Sequence, residues 1–239
     1  MSYLFDLVKE NEKELRSLHD DGYRTSSIPG YGKGSLKACE AQALYSLIKD
    51  KKYNNILDIG TGPGFTCLYF AKALKDLNSK GKVTTIDISS AFQDKVKLFL
   101  NNFGLQNYVE FLCGDSKDVL DTISDRVYDF ASIDGFHSYD QCKIEFNKVN
   151  KMIRKGGAIA FDDIYLRPKD NPGPRNVFDE IDKSLGDTYY LEEKIFDMFK
   201  YPEDVSEVSR LEQKWELRDG SFVLKESNPK ETVGLFFKK

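Results

Sequence analysis

The side chains best suited to chemistry follow two apolar runs in the segment 129–163. Asp134 ends the first run, His137 follows three positions later, and Asp162 and Asp163 end the second run. Neighbouring parallel strands lie ~5 Å apart, so carboxylates at their ends meet at one edge of a sheet. Carboxylate oxygens favour a hard cation such as Mg²⁺, and an imidazole with a pKa of about 6.5 can accept a hydroxyl proton. The pattern predicts Asp134, Asp162 and Asp163 as metal ligands and His137 as a catalytic base.

Other roles for these four residues stay open. Asp134 can contact a cofactor instead of a metal. Asp162 and Asp163 can cap the turn that follows them or bind a basic substrate. His137 can make a structural hydrogen bond at the start of a helix. Phe136 and Tyr139, which flank His137, either line an acceptor pocket or pack in the core.

A glycine-rich turn, Gly60-Thr61-Gly62-Pro63-Gly64, follows Asp58 and opens a helix. Glycines let the main chain turn tightly and let a ligand approach it, and the first turn of a helix presents unpaired N–H groups. The dinucleotide fingerprint G-x-G-x-x-G needs a glycine where Phe65 stands. The turn therefore favours a nucleoside ligand that carries no pyrophosphate, and a structural turn without a ligand is the alternative.

Two further acidic positions follow the next two predicted strands. Asp87 can accept hydrogen bonds from both ribose hydroxyls of a nucleoside. That role is common to several nucleotide sites, so Asp87 does not discriminate between them. Asp115 and Ser116 follow the third strand, and either of them can also cap the next helix.

The elements that position these residues alternate regularly from residue 54 onward. Strands are predicted over 56–58, 83–88, 109–113, 127–133 and 158–161, and helices over 65–78, 89–103, 116–124 and 138–154. Five strands separated by helices predict a parallel sheet covered on both faces. Later runs at 189–196 and 233–237 complete a doubly wound, mostly parallel, seven-stranded Rossmann-like α/β sheet, and 221–225 predicts an extra strand.

The flanks of this region are less regular. An amphipathic helix over 2–20, a loop over 21–35 and a helix over 36–51 capped by Ser35 predict an N-terminal helical cap, residues 1–53, before a domain spanning 54–239. A loop is predicted over 164–176 and a helix over 177–185, while residues 199–232 are hard to place. By position alone, Tyr23 and Tyr31 could cover a cofactor, and Tyr165, Arg167 and Arg175 could border an acceptor.

The composition of the chain excludes some classes of binding partner. Of 239 residues, 40% are hydrophobic and 31% charged, and the net charge of −4 argues against a nucleic-acid partner. Four cysteines without a C-x-x-C pair predict reduced core thiols. No signal peptide and no run near the ~18 apolar residues of a membrane span is visible, so we expect a cytoplasmic protein with no membrane partner. The oligomeric state stays open, a homo-oligomer included.

Together the motifs resemble those of the class I S-adenosylmethionine (SAM) dependent methyltransferases. Their first motif, an acid followed by G-x-G-x-G, is matched by Asp58, Gly60, Gly62 and Gly64. The resemblance implies SAM as the cofactor, with Asp115 beside the adenine and Ser116 helping to hold its exocyclic amine. The residues that it places at the cofactor are Asp58, Gly60, Thr61, Gly62, Gly64, Asp87, Asp115, Ser116 and Asp134.

The pattern Asp-Gly-x-His-x-Tyr from Asp134, followed by Gly-Gly-x-Ile-x-x-Asp-Asp from Gly156, resembles the metal-dependent small-molecule O-methyltransferases over residues 54–165. The catechol branch has a lysine at the offset of His137 and Asp-Asn at the end of the motif, so the sugar-type branch is more similar. The resemblance implies Mg²⁺-assisted O-methylation of a small hydroxylated metabolite, such as a sugar or sugar-bearing natural product. A metal-independent O- or N-methyltransferase, a non-catalytic SAM-binding protein and an NAD-dependent oxidoreductase are the alternatives.

Overall fold

A computed structural model describes residues 10–28, 38–164, 173–190, 215–218, 221–224 and 233–239. The helices are α1 Glu12–Thr25, α2 Ala38–Lys51, α3 Phe65–Asp76, α4 Ser90–Asn101, α5 Ser116–Thr122, α6 Tyr139–Met152 and α7 Pro174–Asp179, with a 3₁₀ turn at Gln106–Tyr108. The strands are β1 Ile56–Ile59, β2 Val83–Asp87, β3 Val109–Cys113, β4 Tyr128–Ile133, β5 Ile153–Phe161, β6 Gly186–Tyr190, β7 Trp215–Arg218, β8 Ser221–Leu224 and β9 Gly234–Lys238.

Seven of these strands form one sheet in the order β3-β2-β1-β4-β5-β9-β6. Strands β1 to β5 pair in parallel, and β9 runs antiparallel between β5 and β6. The predicted doubly wound, mostly parallel, seven-stranded sheet is therefore confirmed. The extra strand predicted at 221–225 forms as β8, but it pairs with β7 in a separate two-stranded sheet.

Both faces of the sheet are covered because successive side chains of a strand point to opposite faces. In β1, Ile56 packs in a cluster with buried residues of α2, α3 and α4. Leu57 and Ile59 pack in a second cluster with residues of α5, α6 and α7. Each fully buried aliphatic or aromatic side chain contributes roughly 1.5–3 kcal/mol, so these two layers dominate the stability of the fold. Since α2 belongs to the first layer, the predicted boundary between residues 53 and 54 stays a prediction.

Three helices begin directly after strands, at polar caps on the carboxyl edge of the sheet. Ser89 Oγ accepts the Phe92 amide at the start of α4, and Ser138 Oγ accepts the Gln141 amide at the start of α6. Asp115 accepts the Lys117 amide at the start of α5. Caps of this kind satisfy N–H groups that the helix leaves unpaired. The chain therefore changes from strand to helix at one edge, where the polar side chains collect.

Several predicted boundaries are wrong. Residues 21–25, predicted as loop, continue α1, whereas residues 29–35, with the predicted cap Ser35, lie outside the described ranges. The helix predicted over 177–185 is α7, which ends at Asp179 and starts earlier, at Pro174. Proline suits this first helical position because its N–H would be unpaired there. Strand β5 begins at Ile153, before the predicted start at residue 158, and residues 155–157 are an irregular part of it.

The cysteine prediction is correct for two of the described thiols and wrong for one. Cys67 and Cys142 are buried thiols, but Cys113 is exposed at the end of β3. Cys39 has no described side chain. Within the ranges above, no helix is long and apolar enough to cross a bilayer.

Candidate functional site

A pocket of about 650 Å³ opens at the carboxyl edge of β1 to β4. Its volume lies in the range of small-molecule sites, roughly 300–1,000 Å³. It is lined by Ile59, Gly60, Thr61, Gly62, Pro63, Thr66, Ile86, Asp87, Ile88, Gly114, Asp115, Ser116, Lys117, Asp134, Gly135, Phe136, His137, Ser138, Asp140, Gln141 and Ile144. Most of the predicted cofactor residues therefore face one cavity, together with His137.

The glycine turn connects β1 to both of its neighbours. Gly60 adopts a φ of +100°, and a Cβ there would lie 1.9 Å from the main-chain oxygen of Asp134. Gly62 adopts a φ of +46° beside open space, and its N–H donates to Asp87 Oδ2 at 2.8 Å. Positive φ values of this kind favour glycine. The turn needs glycine for close approach at position 60 and for its backbone angle at position 62.

Gly64 and Asp58 lie behind the pocket wall rather than in it. Gly64, with a φ of +84°, begins α3, and a Cβ on it would meet Val96 Cγ1 at 2.6 Å. Its requirement for glycine therefore comes from both this backbone angle and the packing between α3 and α4. Because the Asp58 side chain is fully buried, direct contact with a ligand in the pocket is not possible in this structure.

Asp58 instead supports the turn from below. Its Oδ2 accepts hydrogen bonds from Thr85 Oγ1 at 2.8 Å and Cys67 Sγ at 3.2 Å. Thr85 Oγ1 lies 2.7 Å from Thr61 Oγ1, and Thr61 lines the pocket. Burial raises the pKa of Asp58 to about 7, although these hydrogen bonds act in the opposite direction. The sequence analysis did not predict this network. Thr85, a polar residue within the buried strand β2, was the signal that could have indicated it.

One part of the pocket lies at the carboxyl ends of β2 and β3. The Asp87 carboxylate accepts the Gly62 amide on Oδ2 and the Ser89 amide on Oδ1, each at 2.8 Å. These bonds hold the carboxylate at the pocket wall, with lone pairs left for further donors. Asp115 accepts the Lys117 amide and so caps α5, which is the helix-capping role considered for it above. Because Asp115 also lines the pocket, capping and ligand binding are compatible.

Sequence reasoning missed two further polar residues at this end. Gln141 lines the pocket, and Glu145, four residues along α6, is fully buried behind it. Ser116 Oγ donates to Glu145 Oε1 at 2.5 Å, and Gln141 Nε2 donates to the same oxygen at 3.0 Å. A helical i,i+4 spacing places Gln141 and Glu145 on one face, but the sequence gives no sign that this face meets Ser116.

At the other end of the pocket, the His137 ring lies between two carboxylates. Its Nε2 is 3.2 Å from Asp134 Oδ1, and its Nδ1 is 3.0 Å from Asp163 Oδ2. Burial alone lowers the pKa of His137, but the hydrogen bonds and charges of Asp134 and Asp163 together raise it to about 9. The ring is therefore an imidazolium at neutral pH, and it must lose a proton before it can act as a base.

Asp162 and Asp163 complete the cluster from behind the pocket wall. Asp162 is buried, and its burial together with the charges of Asp134 and Asp163 raises its pKa well above the ordinary value. Burial also raises the pKa of Asp134, against the opposing influence of His137. Asp163 adopts a φ of +54°, which is uncommon for a residue with a side chain. The predicted convergence of the three acids with His137 is thus present.

The convergence does not amount to a formed metal site. Among the described residues, no group of three or more His, Cys, Asp and Glu side chains has the arrangement needed to hold a metal ion. The three carboxylates fit Mg²⁺ by their chemistry. They do not surround a shared space for the cation, because the His137 ring lies between Asp134 and Asp163.

Apolar side chains surround the mouth of the pocket. Phe136 is 75% exposed and Ile88 is 78% exposed, and both line the cavity, as does Ile144. Phe136 therefore lines the pocket rather than packing in the core, and its role towards an acceptor stays a prediction. The Tyr139 hydroxyl instead donates to Glu180 Oε2 at 2.6 Å, and Tyr139 does not line the cavity.

Of the positions expected to cover the site, few are described. Tyr31, Tyr165 and Arg167 lie outside the described residues, and the side chain of Tyr23 is not described. Arg175 lies in α7, where it pairs with Asp179 at 2.7 Å.

Part of the chain is similar to known proteins. Residues 57–164 match a family model described as a methyltransferase domain. A probable caffeoyl-CoA O-methyltransferase 3 of Dictyostelium discoideum is 29% identical over 122 residues, which are 49% of this chain and 47% of the relative. A catechol O-methyltransferase of Mycobacterium tuberculosis is 24% identical over 109 residues, 46% of this chain and 47% of the relative. The chain thus spans about half the length of the curated relatives it matches.

Solved structures with the same fold match more of the chain. An O-methyltransferase from Bacillus cereus, crystallised in complex with SAH, aligns with a TM-score of 0.63 and 18% identity, covering 94% of this chain and 90% of that one. The O-methyltransferase TomG from Streptomyces achromogenes, in complex with SAM, aligns with a TM-score of 0.61 and 18% identity, covering 87% and 82%. At this identity the structures establish the fold. The family match over residues 57–164 agrees with the predicted resemblance to methyltransferases.

Proposed function

We propose that this chain binds SAM and transfers its methyl group to a hydroxyl of a small molecule, since residues 57–164 match a family model described as a methyltransferase domain. The observation that carries the proposal is the continuity of one pocket. Gly62 and Asp87 line one part of it, and Asp134 and His137 line another. A cofactor held at the first part would present its reactive group towards the second.

In this proposal the chain holds the cofactor through three strand ends. The Gly60-Thr61-Gly62 main chain lies against the homocysteine portion, where its turn leaves room for a ligand. Asp87 accepts the ribose hydroxyls, since its carboxylate is already oriented by two amides. Asp115 and Ser116 lie beside the adenine, and Asp134 borders the reacting centre. Asp58 and Gly64 act indirectly, by shaping the turn.

The reaction joins an oxygen to the methyl carbon while the methyl–sulfur bond breaks. SAM supplies the electrophilic methyl group on a positively charged sulfur. A positive charge near the acidic cluster lowers the pKa of His137, because like charges repel. We assign His137 Nε2, which faces the pocket residue Asp134, as the acceptor of the hydroxyl proton. Phe136, next to His137 in the chain, adds an apolar side chain to the pocket lining.

We also propose that Asp134, Asp162 and Asp163 hold Mg²⁺ during turnover. Three neighbouring acids face one imidazolium, so the cluster favours additional positive charge. A bound divalent cation would lower the pKa of the acceptor hydroxyl and orient it. The alternative is a metal-independent O- or N-methyltransferase. It is favoured by the position of His137 between Asp134 and Asp163, where the ring already serves as their counter-charge.

The names of the relatives bear on the acceptor. A caffeoyl thioester and a catechol both carry a hydroxylated aromatic ring, and the exposed Phe136 side chain, next to His137 in the chain, suits such a ring. We therefore propose a phenolic hydroxyl as the acceptor. A sugar hydroxyl, implied by the Asp-Asp end of the second motif, is the alternative.

A transfer assay separates these proposals. The protein is incubated with methyl-labelled SAM and catechol, a caffeoyl ester or a free sugar, each with Mg²⁺ and each after exhaustive chelation. We expect labelled product with a phenol, dependent on Mg²⁺ and abolished in Asp162→Asn. Chelation-resistant transfer that also survives Asp162→Asn would establish the metal-independent alternative. Binding of SAH without transfer to any acceptor would contradict the catalytic proposal.

A further inference from the structure

The buried carboxylate of Glu145 controls which way the hydroxyl of Ser116 points. Glu145 extends from α6 and is fully buried, and its Oε1 accepts from Ser116 Oγ at 2.5 Å. The Gln141 amide nitrogen donates to the same oxygen at 3.0 Å and to Ser116 Oγ at 2.7 Å. With Asp115 Oδ1 at 3.4 Å as a third acceptor, this nitrogen has only acceptors around it. The hydrogen-bond directions in the group are therefore fixed.

The protonation state of Glu145 does not change these directions. Burial raises the pKa of the carboxyl, with Ser116 and Gln141 opposing the shift. Oε1 already receives two donors, whereas Oε2 is buried and has no hydrogen-bond partner among the described residues. A proton on Glu145 would therefore reside on Oε2. In both states, Oε1 accepts from Ser116.

A serine hydroxyl has one proton and two lone pairs. Since the proton of Ser116 is directed at Glu145, it is not available to the pocket that Ser116 lines. One lone pair receives Gln141, and the other remains for a ligand. The neighbouring Asp115 carboxylate also only accepts. Ser116 and Asp115 thus offer acceptors to a ligand that must donate, and the Lys117 ammonium, which also lines the pocket, pairs with Asp115 at 3.5 Å.

We propose that Glu145 is a specificity-determining residue that makes the pocket select a 6-amino purine over a 6-oxo purine. The inference rests on the proposed SAM-binding function and adds to it a reason for choosing adenine. An exocyclic amine donates to Ser116 Oγ, whereas a 6-oxo group would face lone pairs. Glu145 acts through Ser116 and does not itself touch the ligand.

Two replacements separate this role from simple structural support. Glu145→Gln keeps an oxygen that can accept from Ser116, so it should retain the preference for adenine. Glu145→Met fills a similar volume without an acceptor, which frees the hydroxyl to turn and donate to a 6-oxo group. Ser116→Ala removes the hydroxyl and tests the same contact from the other side. Glu180→Gln, at an exposed ion pair with Lys143, is the matched control.

The experiment is calorimetric titration of each variant with S-adenosylhomocysteine and S-inosylhomocysteine. We expect the wild type, Glu145→Gln and Glu180→Gln to prefer the adenosyl compound by roughly tenfold or more. The reason is that two facing acceptors, without a proton between them, weaken binding of the inosyl compound by about that factor. In Glu145→Met and Ser116→Ala this ratio should fall several-fold. An unchanged ratio in Glu145→Met, with S-adenosylhomocysteine still bound, would overturn the inference alone. If the wild type binds neither compound, the proposed function fails and the inference with it.

Discussion

Gly60 lies so close to Asp134 that a Cβ on the glycine would be 1.9 Å from the main-chain oxygen of the aspartate. The turn at the proposed cofactor end is thereby packed against the residue that begins the proposed reaction end. The Asp134 amide also donates to Ile59 O at 2.9 Å, one residue before Gly60. The relative position of the two ends of the pocket is set by the main chain of β1 and β4.

This contact predicts different effects for two neighbouring glycine replacements. Gly62→Ala meets no atom within 4 Å and has only an unfavourable φ of +46°, so it should cost about 1–2 kcal/mol of unfolding free energy. Gly60→Ala adds a main-chain collision to a φ of +100° and should cost clearly more. Urea unfolding of both variants measures the difference. Equal losses would mean that Gly60 is not held against Asp134.

The Asp87 carboxylate should be required for cofactor binding. In Asp87→Asn, one oxygen becomes an amide nitrogen that faces the Gly62 or Ser89 N–H, so the side chain cannot keep both contacts. We expect affinity for S-adenosylhomocysteine to fall roughly tenfold or more, because charge-assisted hydrogen bonds are lost. Asp94→Asn, at an exposed pair with Lys97, should leave the affinity unchanged. Equal affinities in both variants would remove Asp87 from the site.

His137 should give the ligand-free protein a stability that depends on pH. Its folded pKa of about 9 exceeds the unfolded value of about 6.5, so the folded state binds the extra proton. The contribution is fully present below pH of about 6.5 and is lost as the pH rises through about 9. With a chelator present, the wild type should exceed His137→Gln in unfolding free energy at pH 6, and the difference should shrink by pH 9.5. A difference that grows with pH would contradict the arrangement with Asp134 and Asp163.

Asp163 should respond to its backbone angle as well as its charge. Its φ of +54° suits asparagine better than alanine, since asparagine adopts the left-handed region more readily. Both variants remove the negative charge beside His137, and asparagine also keeps an oxygen that can accept from Nδ1, so the backbone angle and this hydrogen bond both favour asparagine. We expect Asp163→Ala to be less stable than Asp163→Asn by about 1 kcal/mol in urea unfolding. Asparagine proving the less stable replacement would contradict the backbone account.

The sequence predicted the features that depend on local pattern. Short apolar runs alternating with helical spacing were enough for the parallel sheet, because strand and helix periods differ. The same alternation predicted that Asp134, His137 and Asp163 lie at one edge of the sheet, because they follow the ends of neighbouring parallel strands. Their mutual charges could also be expected, but not that His137 would lie between two of them.

Features that depend on contacts between distant elements were not predicted. Asp58 stands in a familiar motif, yet its burial under Thr85 and Cys67 depends on how α3 packs on β1 and β2. Glu145 looked like one more charge on a helix, and its contact with Ser116 joins residues 29 positions apart. The exposure of Cys113 likewise depends on its place at the end of β3, an edge strand.

The most direct test of the central claim is a calorimetric titration of the wild-type protein with S-adenosylhomocysteine and, separately, with NAD. The account predicts saturable one-to-one binding of S-adenosylhomocysteine, weakened in Asp87→Asn, and no binding of NAD. Binding of NAD without binding of S-adenosylhomocysteine would contradict it and would favour an oxidoreductase.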